Sequence, residues 1–361
     1  MPFDMQSNNR PDRLDKLDRR SFLRVAGVGS AAVFVGGIPR IEDLDNDPAS
    51  LRLMEFDVSY RTQIMELPSD AEDVRIWMPI PLDDDAQTIS NFEIDSPFPH
   101  EFTRDETFGT KMLHVKTGRH DKPFGVEARY RVTRRQSGIQ KVALSDADAE
   151  RYLKLTNRVR YTPDVETFAR EILGDETDPY KKGRRVFDGI REALFYDKTI
   201  PGCGTGDTQW IMKYRRGKCD DYHALAMAIL ISNGVPVRWE QGFPLPFPKD
   251  GKVQSGEGQL EGDCTGSHCW ISFYAPSHGW VPMDVSEGDK GAPNSDFYFG
   301  NLSPNRFQVS VGRSVTLNPA QGGDPLPTFA FAFAEADGIP LVYLMNYENI
   351  IKYKITRVEV A

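Results

Sequence analysis

Three things are missing from this 361-residue chain, and each absence removes a class of function. Basic charge is in deficit: 44 Lys and Arg stand against 53 Asp and Glu, a formal net charge of −9. That argues against nucleic-acid binding, which draws on a broad basic face. Two local basic runs, Lys181-Lys182-Gly183-Arg184-Arg185 and Lys213-Tyr214-Arg215-Arg216, lie in helical or pre-helical stretches and read as solvated faces. A long hydrophobic run is also lacking, so no segment reaches the ~20 apolar residues of a spanning helix. Finally, no internal repeat or low-complexity tract is present. What remains is an ordinary globular composition, 39% apolar and 27% charged, in a chain long enough for two or three domains.

The N-terminus carries a more specific signal. Asp18-Arg19-Arg20-Ser21-Phe22-Leu23-Arg24 precedes a small, apolar stretch from Val25 to Ile38. Paired arginines before a short hydrophobic region resemble a twin-arginine export signal, although Asp18 stands where Ser or Thr is usual and no clear Ala-x-Ala cleavage site follows. Gly27, Gly29, Gly36 and Gly37 make the stretch a poor helix for a soluble domain. The expectation is an extracytoplasmic protein, periplasmic or secreted, touching a membrane at most through an N-terminal tether.

After this signal and linker (1–45), residues 51–145 read as a β-rich domain. Leu51–Tyr60, Val74–Pro79 and Phe124–Val132 alternate apolar and polar residues with period two. Pro- and Asp-rich turns such as 79–85 punctuate them, and a β-sandwich-like domain fits. From 146 to 295 the texture changes. Val186, Phe187, Ile190 and Leu194 fall at helical spacing, and a second, apolar helix runs from Cys219 to a stop at Asn233-Gly234 with Pro236 just beyond. Strands are expected at 237–242, 268–274 and 279–284. Between the first two, the Pro- and Gly-rich stretch 244–266 reads as a surface loop and candidate lid near His268. Residues 296–361 read as a C-terminal extension of short strands, including Leu341–Leu344 and Ile351–Val358.

Chemistry concentrates at Cys219. A thiol at a helix start meets the positive end of the dipole and unpaired N–H groups, which favour thiolate and can hold an oxyanion. Lys218 adds positive charge; Asp220 and Asp221 oppose it and suit a first helical turn. Alone, Cys219 would read as a small buried core residue. Its company changes that. His268 opens one strand and Asp284 ends the next, across a tight turn at Ser277-His278-Gly279, so antiparallel pairing can set them side by side. Nucleophile, base and orienting carboxylate then complete a Cys-His-Asp triad.

Gly217-x-Cys219-x-x-Tyr222-x-x-Leu225, ending in Asn233-Gly-Val-Pro-Val-Arg238, resembles the cysteine segment of the transglutaminase-like superfamily. His268-Cys-Trp270 and Gly279-Trp-Val-Pro-Met-Asp284 resemble its histidine and aspartate segments, in family order over roughly 180–290. The resemblance implies an α+β fold, a papain-like core of a helix packed on an antiparallel sheet. It also implies catalysis by Cys219, His268 and Asp284, without naming a substrate. Two departures stand out. His223, four residues after Cys219 where the family is commonly small, shares its helix face and is expected to cap a local polar network. Cys269 replaces a small residue and should point away from His268 into a core.

Gln209 and Trp210 are cleft candidates for a second oxyanion donor. For the remaining thiols, a Cys203–Cys264 disulfide suits an oxidising compartment. A zinc site using Cys264, His268 and Cys269 with Cys203 or Cys219 is the competitor, of uncommon spacing. The expected function is an exported thiol-dependent acyl-transfer enzyme on a protein or peptide substrate, with hydrolysis slightly favoured and no cofactor or metal. The alternatives are a protein cross-linking transglutaminase and a catalytically silent peptide-binding module.

Overall fold

The computed structural model describes residues 47–120, 122–246, 261–264, 266–290 and 294–361. The export signal and most of the candidate lid therefore lie outside the described residues. All of those described belong to one compact unit. No helix among them is long and apolar enough to cross a membrane.

Six strands come first: β1 (Leu51–Ile64), β2 (Val74–Pro79), β3 (Gln87–Asp95), β4 (His100–Arg104), β5 (Lys111–Thr117) and β6 (Phe124–Arg135). Their alternation is the expected one: every second residue of β1 and β6 is buried. Helices α1 (Asp146–Tyr152), α2 (Pro163–Leu173) and α3 (Pro179–Ala193) follow, then β7 (Phe195–Tyr196), α4 (Thr208–Tyr214), β8 (Arg216–Gly217) and α5 (Cys219–Ser232). Next come β9 (Val237–Pro244), β10 (Glu261–Asp263), β11 (His268–Ala275), β12 (Gly279–Met283) and α6 (Val285–Asp289). The chain closes with β13 (Arg306–Val311), β14 (Phe333–Ala336), β15 (Ile339–Pro340) and β16 (Tyr347–Val360).

Two five-stranded sheets, ordered β10-β16-β1-β6-β3 and β15-β14-β2-β5-β4, enclose one apolar core and form the sandwich. The C-terminal strands are part of it. β16 pairs with β1 along nearly its whole length and β14 pairs with β2. The expected separate extension at 296–361 is thus corrected: its alternating strands bury their apolar faces by completing the N-terminal sheets. Leu341–Leu344 is not a strand either. The chain turns there, with Leu344 at φ +64° and its N–H bonded to the Tyr347 carbonyl.

The second core is the α+β unit expected around α5. A four-stranded antiparallel sheet, β12-β11-β9-β13, packs against α5, which is apolar on all sides and buried from Cys219 to Ile231. α2, α3, α4 and α6 surround it. A helix buried all round has no solvent face to fray toward, so its N-terminus is held where the surrounding layers put it.

Candidate active site

Four segments converge at the start of α5. The β11–β12 hairpin pairs Ala275 with Gly279 and Ile271 with Met283. That register delivers Asp284, immediately after β12, beside His268 at the head of β11. His268 Nε2 lies 2.7 Å from Asp284 Oδ2, and both side chains are buried. Asp284 also caps α6, its Oδ1 accepting from the Glu287 N–H and the Ser286 hydroxyl, each at 3.0 Å. A single carboxylate therefore fixes a helix with one oxygen and the imidazole with the other.

A further partner comes from β13. Arg306 Nη1 donates to the same Asp284 Oδ2 at 2.7 Å, and its guanidinium lies 5.0 Å from the centre of the Trp270 ring. Burial alone would lift the Asp284 carboxyl, but His268 and Arg306 hold it well below its ordinary value. Burial also lowers the His268 pKa, and Arg306 adds to that against the pull of Asp284. Burial thus favours the neutral imidazole. Its Nε2–H is donated to Asp284, which leaves Nδ1 as the free basic nitrogen.

Cys219 is 3% exposed. Its Sγ contacts the Cys203 carbonyl at 3.8 Å. The Cys203 contact lowers its pKa, but the Cys269 contact and burial outweigh it and hold the thiol well above its ordinary value. Burial thus works against the thiolate that a helix start favours. Among the described residues no hydrogen bond joins Cys219 to His268; the sulfur faces the Cys203 carbonyl instead. The Cys219 N–H is given no acceptor among the described residues, whereas the Asp220 N–H bonds the Cys203 carbonyl at 3.0 Å.

The loop carrying Cys203 is clamped by Asp221. Its Oδ1 accepts from the Thr205 N–H (2.9 Å), the Thr205 hydroxyl (2.8 Å) and the Gly206 N–H (2.9 Å), while Oδ2 accepts from the Lys218 N–H at 2.9 Å. Asp220 instead pairs with Arg313, whose guanidinium stacks 4.2 Å from the Trp239 ring. His223 does join a polar network. Its Nε2 accepts from the Val285 N–H at 3.1 Å, so the proton sits on Nδ1, 3.5 Å from the Cys269 sulfur.

Gln209 and Trp210 sit on α4, the first exposed and the second packed on Tyr214 and the core edge. No hydrogen bond among the described residues ties either to Cys219. The expected Cys203–Cys264 disulfide is absent: all four thiols are free. Cys264 packs in the sandwich core while Cys203 lies against the other, its Sγ within 3.0 Å of the Ser267 hydroxyl. That separation also removes Cys264 from the zinc set. His268, Asp284 and Glu287 do bring three donor atoms within 4.8 Å, but Arg306 already occupies Asp284 and Lys290 pairs with Glu287. Two cations at those oxygens oppose a third. Arg306, Glu287 and Lys290 carried no signal in the sequence, since nothing in local spacing links β13 or the end of α6 to His268.

Residues 166–285 match the model of the Transglutaminase-like superfamily. An uncharacterized protein of Haemophilus influenzae is 24% identical over 334 residues, covering 83% of this chain and 90% of its own. The uncharacterized protein YebA of Bacillus subtilis is 26% identical over 145 residues, 39% of this chain and 19% of YebA. A crystal structure from Cytophaga hutchinsonii, provisionally named a cysteine protease, shares the fold with a TM-score of 0.51 at 16% identity, over 84% of this chain and 98% of that one. With a helix-borne cysteine, a histidine strand and an aspartate strand in that order, residues 166–285 form a transglutaminase-like core.

Proposed function

We propose that this protein is a thiol-dependent acyl-transfer enzyme acting on amide or peptide bonds, with water favoured over an amine as acceptor. The observation that carries the reading is the buried His268–Asp284–Arg306 array, which meets α5 at His223, 3.5 Å from Asp284 and one helical turn from Cys219. Burying two charges and an imidazole is a poor way to gain stability, but it is what a base of fixed tautomer requires.

In this reading the resting pair is neutral thiol and neutral imidazole. Cys219 turns from Cys203 and Cys269 toward His268 Nδ1, which takes its proton as the sulfur attacks the carbonyl. The Cys219 N–H is the candidate donor to the oxyanion. The imidazolium then protonates the leaving amine, and water, deprotonated by His268, cleaves the thioester. Asp284 stabilises the imidazolium, and Arg306 keeps Asp284 from accepting the proton itself. The protein would act outside the cytoplasm, exported through Arg19-Arg20.

One observation favours the silent binding module: Cys219 is buried and its sulfur faces the Cys203 carbonyl, with no hydrogen bond to His268 among the described residues. Comparing wild type with Cys219→Ala on peptide, amide and glutamine-plus-amine substrates separates the readings. Hydrolysis lost in Cys219→Ala supports the proposal. Amine incorporation without hydrolysis selects cross-linking, and equal behaviour of the two proteins selects the silent module.

A further inference from the structure

Three of the four thiols gather at the start of α5, and they differ in access. Cys219 and Cys269 are buried, whereas Cys203 is partly exposed. Cys269 is also engaged elsewhere, its sulfur facing His223 Nδ1 at 3.5 Å. Cys203 lies directly over the nucleophile candidate: its carbonyl contacts Cys219 Sγ at 3.8 Å and accepts the Asp220 N–H at 3.0 Å. The Cys203 sulfur is held on the same side by Ser267, whose carbonyl lies 3.1 Å and hydroxyl 3.0 Å from it, so only one residue's readjustment separates the two thiols. Gly202 at φ +61° and Gly204 at φ +114° flank Cys203, and such flanks let a single residue readjust without moving its loop. The loop beyond is anchored by Asp221.

We propose that Cys203 and Cys219 form a reversible disulfide that switches the site off. This rests on Cys219 being the nucleophile. The oxidant is a small-molecule disulfide arriving on the exposed side of Cys203. One of the two thiols, as thiolate, attacks it, forming a mixed disulfide and releasing one small thiol. The second protein thiolate attacks the protein sulfur of that mixed disulfide and expels the second small thiol. One small disulfide is reduced to two thiols, the protein loses two electrons, and its two protons pass to the departing thiolates. A dithiol reductant reverses the exchange. With its sulfur in the new bond, Cys219 cannot attack a carbonyl.

The test treats the full chain with oxidised glutathione, a linear disulfide that releases one thiol at each exchange. The chain is then alkylated after denaturation and its peptides are mapped. Acyl uptake from p-nitrophenyl acetate is followed in parallel. The proposal predicts one cross-linked pair, Cys203 with Cys219, with Cys264 and Cys269 alkylated. Acyl uptake should be lost on oxidation and return with reduced dithiothreitol. Cys203→Ser and Cys203→Ala should both keep an alkylatable Cys219 through the same treatment. Four alkylated thiols in wild type, or a Cys219–Cys269 link, would overturn it. A Cys203–Cys219 link in a chain that takes up no acyl group in either state supports the disulfide and contradicts the catalytic reading instead.

Discussion

Arg306 shows how much a single side chain from outside the matched core can decide. It shares Asp284 Oδ2 with His268 and is itself buried. Replacing it by Met leaves a buried carboxylate short of a cation, which should cost about 3–5 kcal/mol in denaturant unfolding, with Arg306→Lys milder. The effect on proton affinity has a definite sign. Arg306 lowers the pKa of both His268 and Asp284, so in a folded Arg306→Met chain the acid limb of kcat/KM should move to higher pH, while Arg306→Lys, which keeps the charge, should move it far less. A role in packing alone would lower stability without moving that limb. In wild type the limb should lie below pH 6.5, the ordinary imidazole value, because the folded His268 resists protonation. Stability follows the same linkage. As pH falls below about 6.5 the unfolded chain takes up this proton first, so the contribution of His268 to folding is lost toward acid.

At the scale of elements, the site depends on how closely β13 approaches β9. Gly242 of β9 pairs with His268 on one side and Gln308 on the other, and a Cβ there would sit 1.7 Å from the Phe307 carbonyl oxygen. Gly242→Ala must push β13 outward, carrying Arg306 from Asp284. We expect a loss of about 3 kcal/mol by chemical denaturation, together with the acid-limb shift of Arg306→Met in whatever fraction folds. Unchanged stability would contradict this reading of the strand contact. Much of this layer was legible beforehand. The period-two stretches at 51–60, 74–79 and 124–132 and the apolar helix from Cys219 became strands and helix within a few residues of the expected bounds, because each has one burial pattern to satisfy. Leu341–Leu344 failed since an apolar run states only what wants burial, and Leu341 alone is buried there. Cys219, His268 and Asp284 were legible from motif order. The protonation state of Cys219 was not, because it depends on Cys203 and Cys269 meeting it in space.

For the whole molecule, the sequence order conceals how the two cores are built. The last strand, β16, lies between β10 and β1, so the sandwich is completed only by the C-terminus. β13, from the same C-terminal region, closes the four-stranded sheet. One stretch thus serves both units, which no composition shift marks. The N-terminal Arg19-Arg20 pair bears on where the folded molecule works. Converting both to Lys should leave the protein in the cytoplasm of its host, as fractionation and immunoblotting would show; undiminished export would exclude the twin-arginine reading.

The central claim concerns one bond, between Cys219 sulfur and an acyl carbon. Incubating the reduced protein with p-nitrophenyl acetate, quenching in acid and mapping the acetylated peptide tests it directly. The account predicts stoichiometric acetylation of Cys219, absent in Cys219→Ala and strongly slowed in His268→Ala. Acetyl groups only on other residues, or labelling of Cys219 at the same rate without His268, would contradict it.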